Sequence, residues 1–394
     1  MKICWISSWP PRSCGIATYS FELVEALRNE GSDIHVVCHK DGGYPGEENV
    51  YPVIDLKRVR WDQDLYSVVK KIGPDILHIQ HEYGLYSVAD DYSAGLFRPL
   101  FRWRFQDEFP IVITYHSVYA KLDKTKAMFM DLVQRLVDAG IVHEYYQWVN
   151  LPVNIGRIVD NVYVIPHGAR ADISISKQDA KKFLGLEGKK IIGMLGWFTP
   201  TKGYDRVIKM WDSISSKLGP DTYLVLAGEV RRNDPSHKKY REKLLQLVEK
   251  CKAKDKIKVV LRSISAKEYE RILAAFDIMV LPYTFISQSG NLAHSFAFGV
   301  PVVASSLEGL KAEVEASGAG VLVPYGEDDE LERAILTLAK DDTLREKCSR
   351  KALDYVRNKI SWSIVAKKHM RLYRKLLEGK KTKIKDLRSE IMLE

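Results

Sequence analysis

Lys202 lies in Gly196-Trp197-Phe198-Thr199-Pro200-Thr201-Lys202-Gly203-Tyr204, a loop that offers one cation just ahead of a helix starting near Gly203. A fixed positive charge suits a diphosphate, because a departing phosphate accumulates negative charge that a cation can hold. A solvated loop lysine is the plainer reading of the same residue. Ser287-Gln288-Ser289-Gly290-Asn291 leaves one apolar strand and opens a helix, the setting in which backbone N–H groups form an anion nest. Ser289 with Gly290 also makes an ordinary N-cap. A third corner is Pro10-Pro11-Arg12-Ser13-Cys14-Gly15-Ile16-Ala17-Thr18-Tyr19, where Gly15 lets a ligand come close to the backbone and the following helix presents unbonded N–H groups. Neither G-x-G-x-x-G nor G-x-x-x-x-G-K-[ST] occurs, so dinucleotide and P-loop chemistry have no motif to stand on.

Histidines gather near strand ends: His78 and His81 in Leu77-His78-Ile79-Gln80-His81-Glu82, and His116 in Ile113-Thr114-Tyr115-His116-Ser117. A histidine at a strand end can hydrogen-bond a sugar hydroxyl or a developing charge. His116 is the candidate. His78 sits inside its apolar run and reads as a core residue with its own hydrogen bonds. No acidic residue stands at ligand spacing from the three, so no metal is assigned.

The elements that must position these residues alternate along the chain. Ile3–Ser7, Asp33–Cys38, Asp75–Gln80, Ile111–His116, Gly140–Val142 and Val162–Ile165 are short apolar strands with amphipathic helical stretches between several of them. The pattern weakens over about 170–188 and restarts at Ile191-Ile192-Gly193-Met194-Leu195-Gly196, followed by strands at Tyr223–Ala227, Ile257–Leu261, Ile278–Leu281, Val302–Ala304 and Val321–Val323. Strand–helix alternation predicts parallel sheets with right-handed crossovers. An α/β protein of two doubly wound, Rossmann-like domains is therefore expected: 1–170, with 362–394 packing back on it through a helix from Trp362 to Leu377, and 185–361. Such sheets bind ligands beyond the carboxyl ends of their strands, and with two domains the expected site is a cleft between them.

Length and composition agree with a globular enzyme. The 394 residues suit two cores, with 46% hydrophobic and 28% charged residues. No run of 18 uncharged apolar residues exists, and the first residues, Met1-Lys2-Ile3-Cys4-Trp5-Ile6, read as a buried strand rather than a signal peptide. Five cysteines without a C-x-x-C pair support neither zinc nor a disulfide framework and point to a reducing, cytoplasmic setting. A net charge of +9 suits an anionic ligand or the negatively charged inner face of a membrane, and is equally what a lysine-rich solvated surface produces. Nothing in the sequence calls for a nucleic-acid partner. The run Phe97-Arg98-Pro99-Leu100-Phe101-Arg102-Trp103-Arg104-Phe105 reads as an amphipathic helix packed on the first domain, with peripheral membrane contact as the alternative.

Together these stretches resemble the retaining glycosyltransferases of family 4, which have the GT-B fold. The resemblance spans almost the whole chain: the Pro-Arg-x-Cys-Gly-Ile-Ala-Thr corner, Val164-Ile165-Pro166-His167-Gly168, the Thr-Pro-x-Lys-Gly loop and Ala297-Phe298-Gly299-Val300-Pro301-Val302-Val303. Ala227-Gly228-Glu229 and the Leu281-Pro282-Tyr283 strand end are similar to a mannosyltransferase-like branch. The resemblance implies a nucleotide-sugar donor, GDP-mannose first and a UDP-sugar second, held by the second domain, and a carbohydrate or lipid-linked acceptor held by the first. Residues 82–105 and 117–135 are where that acceptor would be read. By the same resemblance Gly15 approaches the donor phosphate, His116 contacts the transferred sugar, Lys202 binds the diphosphate, and the backbone of Ser289, Gly290 and Asn291 supports it. It also implies front-face retention with neither metal nor cofactor.

Two departures stand out. The family's pair of glutamates falls on Ile286 and His294, and His294 is left to meet the ribose. The loop's usual arginine falls on Trp197 or Thr199, which puts Trp197 on the donor side and leaves Arg231, Arg232 or Arg262 to compensate. The missing glutamates keep two other readings open: a nucleotide-sugar-binding subunit without activity, and another GT-B enzyme such as a phosphorylase or an epimerase.

Overall fold

The computed structural model describes residues 1–87, 94–230 and 234–391. The chain divides into two units, Met1–Gly168 with Trp362–Glu394, and Ala169–Ser361.

Seven parallel strands build the sheet of unit 1: β1 (Lys2–Ser7), β2 (Asp33–His39), β3 (Val50–Ile54), β4 (Ile76–His81), β5 (Ile111–Tyr115), β6 (Ala139–Val142) and β7 (Val162–Val164), in the order β3-β2-β1-β4-β5-β6-β7. Every residue of β4, β5 and β6 is buried, as strands covered by helices on both faces must be. The covering helices are α1 (Gly15–Asn29), α2 (Trp61–Ile72), α3 (Phe97–Gln106), α4 (Lys124–Leu136) and α5 (Tyr145–Ile155). Strand β3 was not legible as a strand. It holds Pro52 and is partly solvated at the sheet edge, where a proline costs no ladder hydrogen bond on its open side.

Unit 2 opens with α6 (Lys177–Phe183) and continues as β8 (Lys190–Leu195), α7 (Tyr204–Lys217), β9 (Thr222–Gly228), α8 (Pro235–Lys250), β10 (Ile257–Leu261), α9 (Ala266–Ala274), β11 (Ile278–Leu281), α10 (Gly290–Ala297), β12 (Val302–Ser305), α11 (Glu308–Ser317), β13 (Gly320–Val323), α12 (Asp328–Lys340) and α13 (Asp342–Tyr355). Its six strands are parallel in the order β10-β9-β8-β11-β12-β13. The weakly patterned stretch 170–188 thus contains a helix. Ala180 and Leu184 bury into the core of unit 2 while Lys177 and Lys182 are exposed and Lys181 turns to a carboxylate, which is why no apolar period shows in the sequence.

The chain then returns to unit 1 with α14 (Trp362–Ile391). Val365, Ala366, Met370 and Tyr373 pack with Ile3, Trp5, Tyr19 and Leu23 in one buried cluster. Trp362 lies so close to Gly168 that a Cβ there would stand 2.1 Å from the indole, and its Nε1 donates to Glu22 at 2.7 Å. His78 is the core residue expected: Tyr373 Oη bonds its Nδ1, and its Nε2 meets Thr114 Oγ1 at 2.8 Å. No helix among the described residues is long and apolar enough to cross a membrane.

Both sheets reverse strand order beside their first strand, between β1 and β4 and between β8 and β11. At the amino end of the second reversal, Asp277 ties the strands together. Its carboxylate accepts from Ile191 N at 2.8 Å, Lys181 Nζ at 2.7 Å and Lys177 Nζ at 3.2 Å. Burial pushes its pKa up, yet the two ammonium groups and the N–H outweigh burial and hold it below the usual carboxylate value. A lowered folded-state pKa stabilises above the unfolded pKa and is lost as pH falls through the folded one. Asp277→Ala is therefore expected to cost unit 2 about 3 kcal/mol at pH 7, measured by urea unfolding. The gap from wild type should narrow once pH drops below about 3.9, the ordinary Asp value; a gap independent of pH would contradict this account.

Candidate functional site

In unit 2 the loops leaving β8 and β11 meet at the strand-order reversal, where open parallel sheets leave room for a ligand. Lys202 ends a short 3-10 turn, Pro200–Lys202, after β8. Gly203 follows with φ 68°, and a Cβ on it would stand 2.3 Å from the Pro282 carbonyl oxygen. Only glycine allows this approach, and Thr284 N–H secures it by donating to the Thr201 carbonyl at 2.9 Å. The loop contact brings Lys202 Nζ to 3.7 Å from the centre of the Tyr283 ring. Among the described residues no carboxylate pairs with Lys202. An ammonium held on an aromatic face and lacking a counter-ion can still take an anion.

Ser289 is the N-cap of α10, but its side chain makes no capping bond. Its Oγ is buried without a partner among the described residues, as is Gln288 Nε2 beside it. The ordinary N-cap reading is thereby removed: a serine at this position normally bonds the helix backbone, and here it does not. Gly290 and Asn291 start the helix, so their N–H groups have no intrahelical carbonyl to bond. The Asn291 side chain is committed elsewhere, donating to the Leu195 carbonyl at 2.6 Å and accepting from Tyr269 Oη at 2.9 Å. It ties α10 to the end of β8 and leaves only its backbone for a ligand. His294, one turn further on, is half-buried, with its ring centre 5.7 Å from that of Tyr269. Trp197 is half-buried at the start of the Lys202 loop. Arg231 and Arg232 lie outside the described residues, and Arg262 is paired with Glu268 at 2.6 Å.

In unit 1, Gly15 is exposed as the first residue of α1. A Cβ on it would meet nothing within 4 Å, and its φ is not positive. No feature of the fold demands glycine there. His116 follows β5 and is buried, with Nε2 bonded to Gln80 Oε1 at 2.8 Å. Its ring stands edge-on to Tyr19 at 4.8 Å. Two histidines join it, His143 after β6, which sequence reasoning passed over, and His167 after β7, which it noted only as part of a motif; their ring centres lie 5.2 and 5.0 Å from that of Tyr19. The signal available was that each histidine directly follows an apolar run, but only strand order shows that those runs are neighbours. Burial, then the neighbouring His143, His167, His81 and His78, pushes the His116 pKa well below its usual value. His143 falls to about 4, mainly through burial. His116 and His143 are therefore neutral hydrogen-bonding groups at pH 7.

His81 departs from the expectation for strand-end histidines. It turns into the aromatic core against Phe129, Tyr83 and Tyr115, with both ring nitrogens buried and without a hydrogen-bond partner among the described residues. One residue further on, Glu82 accepts from Ser117 Oγ and, at 3.1 Å, from the Tyr83 N–H. That half-buried carboxylate also escaped the sequence reading, and it falls in the stretch expected to read the acceptor. Residues 88–93 of that stretch lie outside the described residues. No group of three or more His, Cys, Asp or Glu among the described residues is arranged to hold a metal.

The family comparisons agree with this division. Residues 14–169 match the model "Glycosyltransferase Family 4", and residues 176–354 match "Glycosyl transferases group 1". A phosphatidyl-myo-inositol mannosyltransferase of Mycobacterium leprae is 23% identical over 387 residues, covering 91% of this chain and 92% of its own. Among solved structures, sucrose-phosphate synthase of Thermosynechococcus elongatus superposes with a TM-score of 0.79 at 19% identity, over 96% of this chain and all (100%) of its own. Anabaena HepE in complex with UDP-glucose gives 0.75 at 16% identity, over 95% of this chain and 100% of its own. Two parallel doubly wound sheets, matched one by one to the two domain families of these enzymes, place the chain in glycosyltransferase family 4, with the GT-B fold.

Proposed function

We propose that this glycosyltransferase moves a hexose, mannose in the first instance, from a nucleotide-diphosphate sugar to a hydroxyl acceptor with retention of configuration and without a metal. The observation that carries the reading is the uncapped start of α10, where among the described residues Ser289 Oγ has no hydrogen-bond partner and Lys202 no carboxylate partner. Lys202 and the backbone N–H groups of Ser289, Gly290 and Asn291 hold the diphosphate. His294 meets the ribose, and Trp197 lies on the donor side. In unit 1, Gly15 admits the phosphate to the backbone and His116 contacts the transferred sugar. The acceptor, a carbohydrate or a lipid-linked hydroxyl, is read from the loops around Glu82 and Ser117.

Transfer breaks the bond between the anomeric carbon and the phosphate oxygen as the acceptor oxygen bonds to the same face of that carbon. The acceptor proton passes to the leaving phosphate oxygen, whose negative charge Lys202 and the helix N-terminus stabilise. A neutral His116 suits this step, since a protonated imidazole would oppose the positive charge that develops on the sugar. Mannose rests on the name of the mycobacterial relative, whereas HepE, solved with UDP-glucose, supports a UDP-sugar. The absence of glutamates at Ile286 and His294 favours a second reading, a subunit that binds a nucleotide sugar and transfers nothing.

Nucleotide binding should stabilise the protein for one base among GDP, UDP and ADP, by about 2.7 kcal/mol at a hundredfold excess over the dissociation constant. A thermal-shift series with no response to any of the three would remove the donor reading. A response without donor hydrolysis or transfer would select the inactive subunit. If transfer is found, Lys202→Ala should lower kcat about a hundredfold with an unchanged melting temperature of the free protein. Because burial keeps His116 neutral, kcat/KM should show no inflection near pH 6.5, the ordinary histidine value of about that size. An inflection there that disappears in His116→Gln would contradict the neutral imidazole.

A further inference from the structure

The side-chain amide of Asn291 joins α9, α10, the end of β8 and the loop after β11 at one point of unit 2. Its Nδ2 donates to the Leu195 carbonyl at 2.6 Å and to Tyr283 Oη at 3.3 Å. Its Oδ1 accepts from Tyr269 Oη, on α9, at 2.9 Å. Chemistry fixes the protons in this set. A carbonyl oxygen only accepts, so the atom facing Leu195 is the amide nitrogen, and the amide oxygen on the other side must meet a donor. The Tyr269 hydroxyl is that donor. The backbone is shaped for the approach: Gly196 has φ 132°, and a Cβ on it would stand 2.9 Å from Asn291 Nδ2. Glycine at 196 keeps open the path by which the amide reaches Leu195.

Two of these groups bear directly on the anion site. Tyr283 supplies the ring on whose face Lys202 Nζ rests at 3.7 Å, and Asn291 stands in the first turn of α10. A turn of the amide therefore disturbs both halves of the site, the cation and the helix N-terminus. Tyr269 controls that amide without belonging to either loop. It lies in α9, a helix closed at its start by the Ser265–Glu268 capping box. Tyr269 also has a second contact on α10. Asn291 and His294 are three residues apart and share a face of the helix, and the Tyr269 ring meets that of His294 edge-on, with centres 5.7 Å apart and planes at 72°. Hydroxyl and ring thus meet different neighbours. Removing the hydroxyl alone takes the donor from Asn291 Oδ1 and lets the amide turn, while the contact with His294 stays.

We propose that Tyr269 is a positioning residue for the donor diphosphate, holding through Asn291 the start of α10 and the Tyr283 ring beneath Lys202 in one register. It rests on the reading that this site takes a nucleoside diphosphate. Calorimetric titration of the full-length protein should show the effect in Tyr269→Phe. Affinity for the nucleoside diphosphate that wild type binds should fall about tenfold. Affinity for the same nucleoside without phosphate should stay at the wild-type value, because the ring and His294 remain. In an Asn291→Ala background the same substitution should lower diphosphate affinity no further, since the hydroxyl acts through that amide. Hydrogen exchange of the ligand-free Tyr269→Phe protein should be faster in the first turns of α10 and unchanged in the rest of unit 2. A variant that binds the diphosphate as wild type does, that loses nucleoside and diphosphate in equal measure, or that shows the full loss again beside Asn291→Ala would overturn the proposal. Wild-type protein that binds no nucleoside diphosphate would overturn the donor reading and the diphosphate role together. The exchange result then decides separately whether Tyr269 positions α10, and unchanged exchange there would overturn that as well.

Discussion

In a parallel sheet whose strand order reverses beside its first strand, the chain leaves neighbouring strands in opposite directions. No crossover then covers the gap between their carboxyl ends. The sheets of this protein share that constraint, at β1 and β4 and at β8 and β11, and the groups able to do chemistry are arranged around it. Gly15 follows β1, Lys202 follows β8, and Ser289 follows β11. At the opposite end of the β8–β11 pair, Asp277 fixes both strands through Ile191 and two lysines, so the loops above start from a rigid base.

Electrostatics divide the two carboxyl ends. In unit 2 the loops supply positive potential, from Lys202 on the Tyr283 face and from the uncapped first turn of α10. In unit 1 burial removes charge: His116, His143 and His167 crowd around Tyr19, and His116 and His143 are held neutral. Glycosyl transfer from a diphosphate needs that contrast, with cations where the phosphate departs and none where the sugar carbon turns positive. The proposed roles of Lys202 and His116 are two sides of one requirement.

Much of this was legible in the residues, for identifiable reasons. Strands such as Ile111–Tyr115 are buried on both faces and read as unbroken apolar runs. The edge strand Val50–Ile54 escaped because Pro52 and partial exposure break such a run, and Lys177–Phe183 escaped because few of its side chains reach the core. Site residues followed the same logic. Lys202 and Ser289 could be found from loop composition next to strands, but the unbonded Ser289 hydroxyl and the commitment of Asn291 to Leu195 depend on how loops distant in sequence fit together. His143 and His167 acquire meaning only once Tyr19, more than a hundred residues earlier, is placed between them.

The start of α10 is where the account can be tested most directly. A crystal structure of the protein with the nucleoside diphosphate that stabilises it should show the diphosphate within hydrogen-bonding distance of the Ser289–Asn291 backbone N–H groups and of Lys202 Nζ, at about 2.7–3.2 Å. A nucleotide bound elsewhere, with that helix N-terminus left to solvent, would contradict it.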